Sequence, residues 1–346
     1  MRTDLFDFEL PPELIAQAPA EPRDAARVLL VGERLSEATV RDLPELLRPG
    51  DLLVLNDTRV LPTRFFGRRG DVPVEVTLVE PAGTDGWWAL ARPGKRLRSG
   101  DRVGLAPGFD ATVEAKDDEG RVLLRFELAG RALLVAIRAH GAMPLPPYIR
   151  RKHGGEARDL AAYQPVFARR DGSVAAPTAS LHFTPDLLER LKARGIERTF
   201  VTLHVGQGTF APVKAENTDQ HRMHAEWYEV PDAAAAAVAA ARARGGRVVA
   251  VGTTVLRTLE TAAGQDGGLR PGAGETRLFV TPGYQFRIVD LLLTNFHLPR
   301  STLFMLTAAF CGLDRIRAAY AHAIAHGFRF FSYGDACLLE RADGRP

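Results

Sequence analysis

The chain has 346 residues, about twice the usual length of one domain, so we expect two domains or one large domain with an insertion. Its 46% hydrophobic and 25% charged residues exclude a disordered, collagenous or coiled-coil protein. The net charge of +3 is too small to indicate a nucleic-acid-binding protein by itself. No apolar run approaches the roughly 20 residues that cross a bilayer, and no secretory signal is visible, so we expect a cytoplasmic protein without membrane contact.

In chain order, the predicted elements change type twice. Residues 52–55 are a solid apolar run, which is typical of a strand buried on both faces of a parallel sheet. From about residue 72 to 128 apolar and polar residues alternate between short turn clusters, which predicts an antiparallel sheet or small barrel. Solid apolar runs return at residues 248–251 and 288–293.

Helical segments surround these later strands and complete the expected architecture. Helices are predicted at residues 185–194, 232–244, 301–310 and 314–325. The predicted fold class is therefore α/β. We expect residues 1–66 and 141–346 to form a main α/β domain with a largely parallel sheet, and residues 67–140 to form an inserted, small antiparallel β-barrel-like domain.

Polar residues follow the predicted strands, where ligands of open α/β sheets collect. They are Asn56, Asp57, Thr58 and Arg59; His204, Gly206, Gly208 and Thr209; Gly252, Thr253 and Thr254; Asn295 and His297; and Tyr333 and Asp335. Gly252 to Thr254 open a helix that continues through Arg257, and its free N–H groups suit a carboxylate or phosphate. A plain helix cap at Thr253 explains this segment equally well.

Histidines concentrate in or near these loops, namely His182, His204, His221, His224 and His297. Acid–base or hydrogen-bonding roles suit them, because imidazole titrates near neutrality. His221, His224 and Glu226 have a spacing that zinc can use, but no HExxH motif, cysteine ligand or aspartate-rich loop supports a metal, so we expect none. A hydrolase elbow, a P-loop and a complete dinucleotide fingerprint are also absent from the sequence.

Basic residues cluster in two places despite the small net charge. Tyr148 lies beside Arg150, Arg151 and Lys152, a combination of ring and cations that suits a single-stranded RNA. The predicted insertion carries a second run with Arg96, Arg98 and Arg102. Solvated surface arginines are the alternative interpretation of each cluster.

Taken together, the loop motifs resemble one family over nearly the whole chain, the S-adenosylmethionine:tRNA ribosyltransferase-isomerases of queuosine biosynthesis. The resembling segments are residues 56–60, 144–149, 175–183, 202–210, 221–226, 252–254, 282–284, 293–299 and 329–335. One position differs, because Ser180 stands where the family usually has glycine, and this difference is expected to affect the backbone beside His182.

The resemblance implies a reaction and a set of roles. The ribosyl group of S-adenosylmethionine is transferred to 7-aminomethyl-7-deazaguanine at the wobble position of a tRNA, which gives epoxyqueuosine and releases adenine and methionine. His182 and His204 are the leading acid–base candidates, with His221, His224 and Glu226 as neighbours or alternates. The residues expected to bind S-adenosylmethionine are Thr178, Ser180, Gly206, Gly208, Thr209, Gly252, Thr253, Thr254, Arg257, Asn295, His297, Tyr333 and Asp335.

For the tRNA anticodon loop, the expected contacts are Asn56, Asp57, Thr58, Arg59, Tyr148, Arg150 and Arg151. S-adenosylmethionine is expected as a co-substrate, with no permanently bound cofactor, no metal and a monomeric chain. Three alternatives stay open: a methyltransferase with an RNA-binding insertion, a non-enzymatic RNA-binding protein and a metal-dependent hydrolase.

Overall fold

The computed structural model describes residues 1–151, 156–206, 213 and 215–342. The chain divides into two compact units. One, here called the α/β unit, comprises Met1–Arg59, Gln164–Arg170 and Ala176–Pro346. The other, here called the barrel unit, comprises Val60–Tyr163 and Asp171–Ala175.

The strands, in chain order, are β1 (Arg27–Val31), β2 (Leu35–Thr39), β3 (Leu52–Asn56), β4 (Thr58–Val60), β5 (Arg64–Arg69), β6 (Val72–Pro81), β7 (Gly86–Arg92), β8 (Arg102–Ala106), β9 (Phe109–Lys116), β10 (Val122–Phe126), β11 (Arg170–Ser173), β12 (Glu197–Leu203), β13 (Glu226–Val230), β14 (Val248–Val251), β15 (Gly272–Thr276), β16 (Leu291–Asn295) and β17 (Ala336–Glu340). The α-helices are α1 (Leu43–Leu46), α2 (Gly130–His140), α3 (Asp159–Ala162), α4 (Pro185–Ala193), α5 (Asp232–Ala243), α6 (Thr253–Thr261), α7 (Thr302–Cys311) and α8 (Leu313–Ala325). Short 3-10 helices include Gly94–Arg96 and Thr178–His182.

The α/β unit is built on a mixed sheet with the order β15-β13-β12-β3-β14-β16-β17-β1-β2 within the described residues. Its central strands β12, β3, β14 and β16 run parallel to one another. β17 is antiparallel to β16 and parallel to β1, and the other outer pairs are antiparallel. All five residues of β3 are buried, as expected for a central strand covered on both faces. The predicted α/β class is confirmed, with parallel pairing at the centre of a mixed sheet.

The predicted helices form within one or two residues of their expected bounds. Pro185 begins α4, and the Thr184 hydroxyl caps this helix by accepting a hydrogen bond from the Leu187 N–H at 3.1 Å. Ser301 caps α7 in the same way through the Phe304 N–H at 3.1 Å. No helix within the described ranges is long and apolar enough to span a membrane.

The barrel unit contains a closed antiparallel barrel with the strand order β10-β7-β6-β5-β8-β9, so the prediction of a β-barrel is confirmed. In β6, Val74, Val76 and Leu78 are buried while Glu75 and Thr77 are partly exposed, because alternate side chains of a strand point to opposite faces. The predicted start of the insertion at residue 67 falls inside β5. The extent of an independently folding insertion stays a prediction.

Candidate active site

A small cleft, partly open to solvent, lies at the carboxyl ends of the central strands of the α/β unit. β14 ends immediately before Gly252, and β12 ends two residues before Val205. Ligands of open α/β sheets bind at this edge. The lining residues are Ala176, Pro177, Thr178, Ala179, Val205, Gly252, Thr253, Thr254, Thr294, His297 and Leu303.

The N-terminus of α6 forms one wall of this cleft. Gly252 has a φ of +95°, a left-handed conformation that favours glycine, while a Cβ built there would make only an ordinary contact with the Cβ of Ala179 at 3.5 Å. The Gly252 N–H donates to the Leu293 carbonyl at 2.7 Å. No side chain of the described residues caps the helix, so its first turn offers N–H groups to an anion.

His297 forms part of the cleft wall. Its Nε2 lies 3.0 Å from the Thr294 hydroxyl, and its backbone N–H donates to the Tyr320 hydroxyl at 2.8 Å. Burial lowers the pKa of His297 to about 3, because the surroundings penalise the charged imidazole. His297 is therefore uncharged at neutral pH.

His182 ends the 3-10 helix that supplies Thr178 and Ala179 to the cleft. Burial lowers the pKa of His182 to about 4, although the nearby Asp335 carboxylate acts in the opposite direction. Its Nε2 is buried and has no hydrogen-bond partner among the described residues. His182 is thus an uncharged imidazole with an unused ring nitrogen.

Ser180 is fully buried in the same 3-10 helix. It does not have a positive φ, so the backbone at this position does not require the glycine that the family resemblance led us to expect. Its Oγ also lacks a hydrogen-bond partner within the described part of the chain.

Asn56 organises the loops that follow β3 and β12. Its Oδ1 accepts hydrogen bonds from the Leu203 and Thr58 N–H groups, both at 3.1 Å, while its Nδ2 donates to the Leu203 carbonyl at 3.0 Å. Asp57 accepts from the Thr202 hydroxyl at 2.7 Å. Asn56, Asp57 and Thr58 are buried, and Arg59 is exposed.

His204 is held in place from two sides. The Thr58 hydroxyl lies 2.8 Å from its Nδ1, and its ring stacks on Trp227 with centroids 5.0 Å apart. The ring is half-buried. Nδ1 is therefore engaged by Thr58, a contact that orients the imidazole.

Glu226 and Arg257, predicted separately as an acid–base residue and a ligand-binding residue, form a buried ion pair between Oε2 and Nη1. The second carboxylate oxygen of Glu226 accepts from the Gly206 N–H at 3.0 Å. Arg257 Nε donates to the Leu278 carbonyl at 3.0 Å. The pair thus ties the loop after β12 to β13 and α6.

The remaining candidates occupy different places. His221 contacts Phe279 edge-on, and partial burial followed by the charge of His224 lowers its pKa. His224 is exposed, and neither of these two histidines lines the cleft. Gly208 and Thr209 lie outside the described residues.

Asn295, Tyr333 and Asp335 are buried at the ends of β16 and β17. The Asp335 carboxylate accepts from the Arg27 N–H at 3.0 Å and from the Arg329 N–H at 2.8 Å. Asn295 Nδ2 donates to the Phe331 carbonyl at 3.0 Å. These contacts fix the segment 329–335, whose Arg329 and Asp335 act electrostatically on His182.

The predicted RNA contacts at Tyr148, Arg150 and Arg151 belong to the barrel unit. Arg151 forms a buried, bidentate ion pair with Asp159, with an Nη2–Oδ1 distance of 2.9 Å. Arg150 is exposed, Tyr148 is half-buried, and Lys152 lies outside the described residues. Arg151 thus contributes to the local fold, whereas Arg150 lies at the surface.

One group of side chains with metal-binding chemistry occurs among the described residues, formed by Glu37, His322 and His326. It is partly exposed and does not line the cleft. Arg27 and His322 both pair with the Glu37 carboxylate, so ion pairing already accounts for the arrangement.

Of the predicted ligand-binding residues, Thr178, Gly252, Thr253, Thr254 and His297 line the cleft. The apolar walls at Ala176, Ala179, Val205 and Leu303 were not predicted, because small and apolar residues carry no chemical signal. Thr294 was also missed as a site residue. Its position three residues before His297 in a polar strand end was the signal that could have found it.

A family model described as "Queuosine biosynthesis protein" matches residues 3–339. This chain belongs to that family. It is 59% identical to the S-adenosylmethionine:tRNA ribosyltransferase-isomerase of Methylobacterium sp. (strain 4-46), with 100% of both chains covered. It is 58% identical to the protein of the same name from Rhodospirillum rubrum, with 99% of both covered.

A solved crystal structure of a protein from the same family is also similar to this chain. The crystal structure of the S-adenosylmethionine tRNA ribosyltransferase from Thermotoga maritima is 36% identical to this chain and matches with a TM-score of 0.55. The match covers 96% of this chain and 99% of that one. The chain is therefore an enzyme of the transferase-isomerase class, with the fold of this family.

Proposed function

We propose that this enzyme transfers and isomerises the ribosyl group of S-adenosylmethionine onto 7-aminomethyl-7-deazaguanine at the wobble position of a tRNA. The products are epoxyqueuosine-tRNA, adenine and methionine. The observation that carries the proposal is the full-length similarity to relatives named for this activity. Because tRNA is the acceptor, we expect the reaction to take place in the cytoplasm, and we expect the chain to act as a monomer.

The donor determines what the site has to supply. The sulfonium of S-adenosylmethionine acidifies the neighbouring 5′ carbon, so a base that removes a proton there generates an ylide that expels adenine. His182 is our candidate for this base. Its low pKa keeps it unprotonated at neutral pH, and its Nε2 is not occupied by another described group.

The methionine carboxylate needs a positive partner. We assign it to the N-terminus of α6 at Gly252, Thr253 and Thr254, because these residues line the cleft and the helix has no side-chain cap within the described residues. Arg257 is the less suitable direct partner, since Glu226 already neutralises its charge. In this proposal Arg257 and Glu226 position the loop that carries Gly206.

The acceptor amine has to lose its proton before it attacks the ribosyl carbon. We assign this step to His204, whose imidazole is oriented by the Thr58 hydroxyl and by stacking on Trp227. Arg59, Tyr148 and Arg150 remain our candidates for contacts to the anticodon loop. The buried residues Asn56, Asp57 and Thr58 support the loops beside them.

The test is to incubate the protein with S-adenosylmethionine labelled in the ribose and with tRNA that contains 7-aminomethyl-7-deazaguanine. Adenine, methionine and ribose label in the tRNA are expected. S-adenosylhomocysteine as the product would contradict the proposal and support a methyltransferase. Tight tRNA binding without turnover would support a non-enzymatic RNA-binding protein, and turnover abolished by a chelator would support a metal-dependent reaction.

A further inference from the structure

The barrel unit carries a concentrated positive surface at residues 92–98, here called the basic connection, which follows β7. Its charged side chains are Arg92, Lys95, Arg96 and Arg98, and all four are exposed. None of them forms an ion pair with an acidic side chain in the described ranges 1–151, 156–206, 213 and 215–342. Four cations within seven residues, of which only Arg98 has an electrostatic interaction with a nearby carboxylate of the described residues, that of Asp101, produce a local positive potential.

Hydrogen bonds join two further cations to this segment. Arg69 Nη1 donates to the Arg96 carbonyl at 2.9 Å, and Lys116 Nζ donates to the Gly94 carbonyl at 2.8 Å. The nearby Asp101 is already engaged, because it accepts from Arg69 Nη1 at 2.9 Å and from the Arg98 N–H at 2.7 Å. Asp101 thus holds the connection in shape and compensates the charge of Arg69.

Three arginines elsewhere on the barrel, Arg102, Arg121 and Arg125, differ from those of the basic connection. Arg102 pairs with Asp110 at 2.8 Å, Arg121 pairs with Asp117 at 2.6 Å, and Arg125 pairs with Asp85 at 2.8 Å. Their charges are balanced within the fold. Arg102, which the sequence groups with Arg96 and Arg98, therefore does not belong to the same unpaired surface.

We infer that the basic connection binds the sugar–phosphate backbone of the tRNA substrate, independently of base sequence. Residues 92–98 carry no aromatic side chain, so the segment lacks groups on which a base can stack, and its chemistry is that of phosphate contacts. The inference rests on the proposed function for the identity of the RNA. It adds a second RNA contact to the one expected around Tyr148 and Arg150.

The experiment compares two double variants that remove the same charge from the same barrel. Arg96→Gln with Arg98→Gln alters the basic connection, and Arg102→Gln with Arg125→Gln alters paired arginines. Equilibrium binding of full-length tRNA is measured across salt concentrations. For the first variant we expect binding about tenfold weaker near 0.1 M salt and a log–log salt slope smaller by about 1.5 to 2. For the control variant we expect the tRNA affinity to change by less than about threefold and the log–log salt slope to stay the same.

Equal slopes for the wild type and the first variant would overturn the inference. So would weaker binding to anionic phosphatidylserine vesicles with unchanged binding to tRNA, since the partner would then be a membrane. Single-turnover ribosyl transfer at saturating tRNA is measured in parallel and should be equal for both variants. A protein that binds tRNA with the expected slopes but transfers no ribosyl group would contradict the proposed function and leave this inference standing.

Discussion

His182 and His297 are uncharged for the same physical reason, because each imidazole is buried where protonation is unfavourable. The two histidines differ in the hydrogen bonding of their Nε2 atoms. His297 has the Thr294 hydroxyl beside its Nε2, while the Nε2 of His182 has no partner within the described residues. A nitrogen that is uncharged and has no partner can accept a proton, so His182 is the stronger catalytic candidate of the two, although a pKa of about 4 makes it a weaker base than an imidazole that titrates near neutrality.

Replacing His182 by glutamine is expected to lower the single-turnover rate of ribosyl transfer by about 100-fold or more, the usual effect of removing a general acid–base group. His322→Gln is the matched control, because this partly exposed histidine of α8 pairs with Glu37 and is not among the predicted site residues. Quenched-flow measurement at saturating substrates gives the rate. Equal rates for the two variants would exclude His182 as the base.

The two buried histidines also predict how stability depends on pH. Their pKa values fall from 6.5 to about 4 and about 3 on folding, so below pH 6.5 the unfolded chain binds protons that the folded chain does not. The free energy of unfolding should therefore fall as the pH falls, by about 1 kcal/mol for each histidine between pH 7.5 and 5.5. Urea unfolding at both pH values measures this decrease in the free energy of unfolding. The decrease should be smaller in the His182→Gln variant. A free energy of unfolding that does not depend on pH in the wild type would contradict the argument.

At the scale of elements, α6 connects three parts of the α/β unit. Its N-terminus lines the cleft, Thr254 Oγ1 accepts from Asn56 Nδ2 at 3.3 Å, and Arg257 pairs with Glu226 at the start of β13. Glu226 in turn holds Gly206 after β12. Movement of α6 would therefore disturb the cleft and the loop that carries His204 together.

Replacing Glu226 by glutamine keeps an acceptor for the Gly206 N–H but leaves the buried charge of Arg257 uncompensated. We expect a loss of about 3 kcal/mol in the free energy of unfolding, because breaking one side of a buried ion pair is costly. Arg257→Met and the double variant complete a mutant cycle by urea unfolding. The double variant should lose less than the sum of the single losses, and strict additivity would show that the pair is not coupled.

The residue patterns were sufficient to predict most helices and strands but did not predict which of them contact one another. The alternation in β6 and the solid apolar run in β3 each report burial directly, so their environments were predictable. The start of the barrel could not be predicted from the sequence, because β5 has the sequence Arg-Phe-Phe-Gly-Arg-Arg, in which apolar and polar residues do not alternate. The pairing of Glu226 with Arg257, 31 residues apart in the chain, depends on tertiary contacts that no local pattern encodes.

At the scale of the whole molecule, each unit has its own hydrophobic core. In the α/β unit, β3, β14 and β16 contribute to one buried cluster together with α4. In the barrel unit, residues from β5 through β10 form another, and Leu133 and Ile137 of α2 pack on it. Two separate cores are what a pair of independently stable units requires.

Residues 60–163 are therefore expected to fold as an isolated fragment, whereas residues 67–163 are not. The shorter fragment lacks the first half of β5, including the buried Phe65, and so opens the barrel between β6 and β8. Near-ultraviolet circular dichroism and dispersed amide resonances measure folding. A folded 67–163 fragment would support the boundary at residue 67, and two unfolded fragments would show that the barrel depends on the remainder of the chain.

The place of β17 in the main sheet has a consequence for biosynthesis. β17 lies between β16 and β1, where it pairs Val28 with Ala336 and Leu291 with Glu340. The hairpin of β1 and β2 is translated long before its partner strand, because residues 40–335 separate the two in the chain. The barrel strands, in contrast, are contiguous from Arg64 to Phe126 and can close while synthesis continues. The nascent hairpin thus has an exposed pairing edge until β17 is translated, which makes it a segment of the α/β unit in need of chaperone protection.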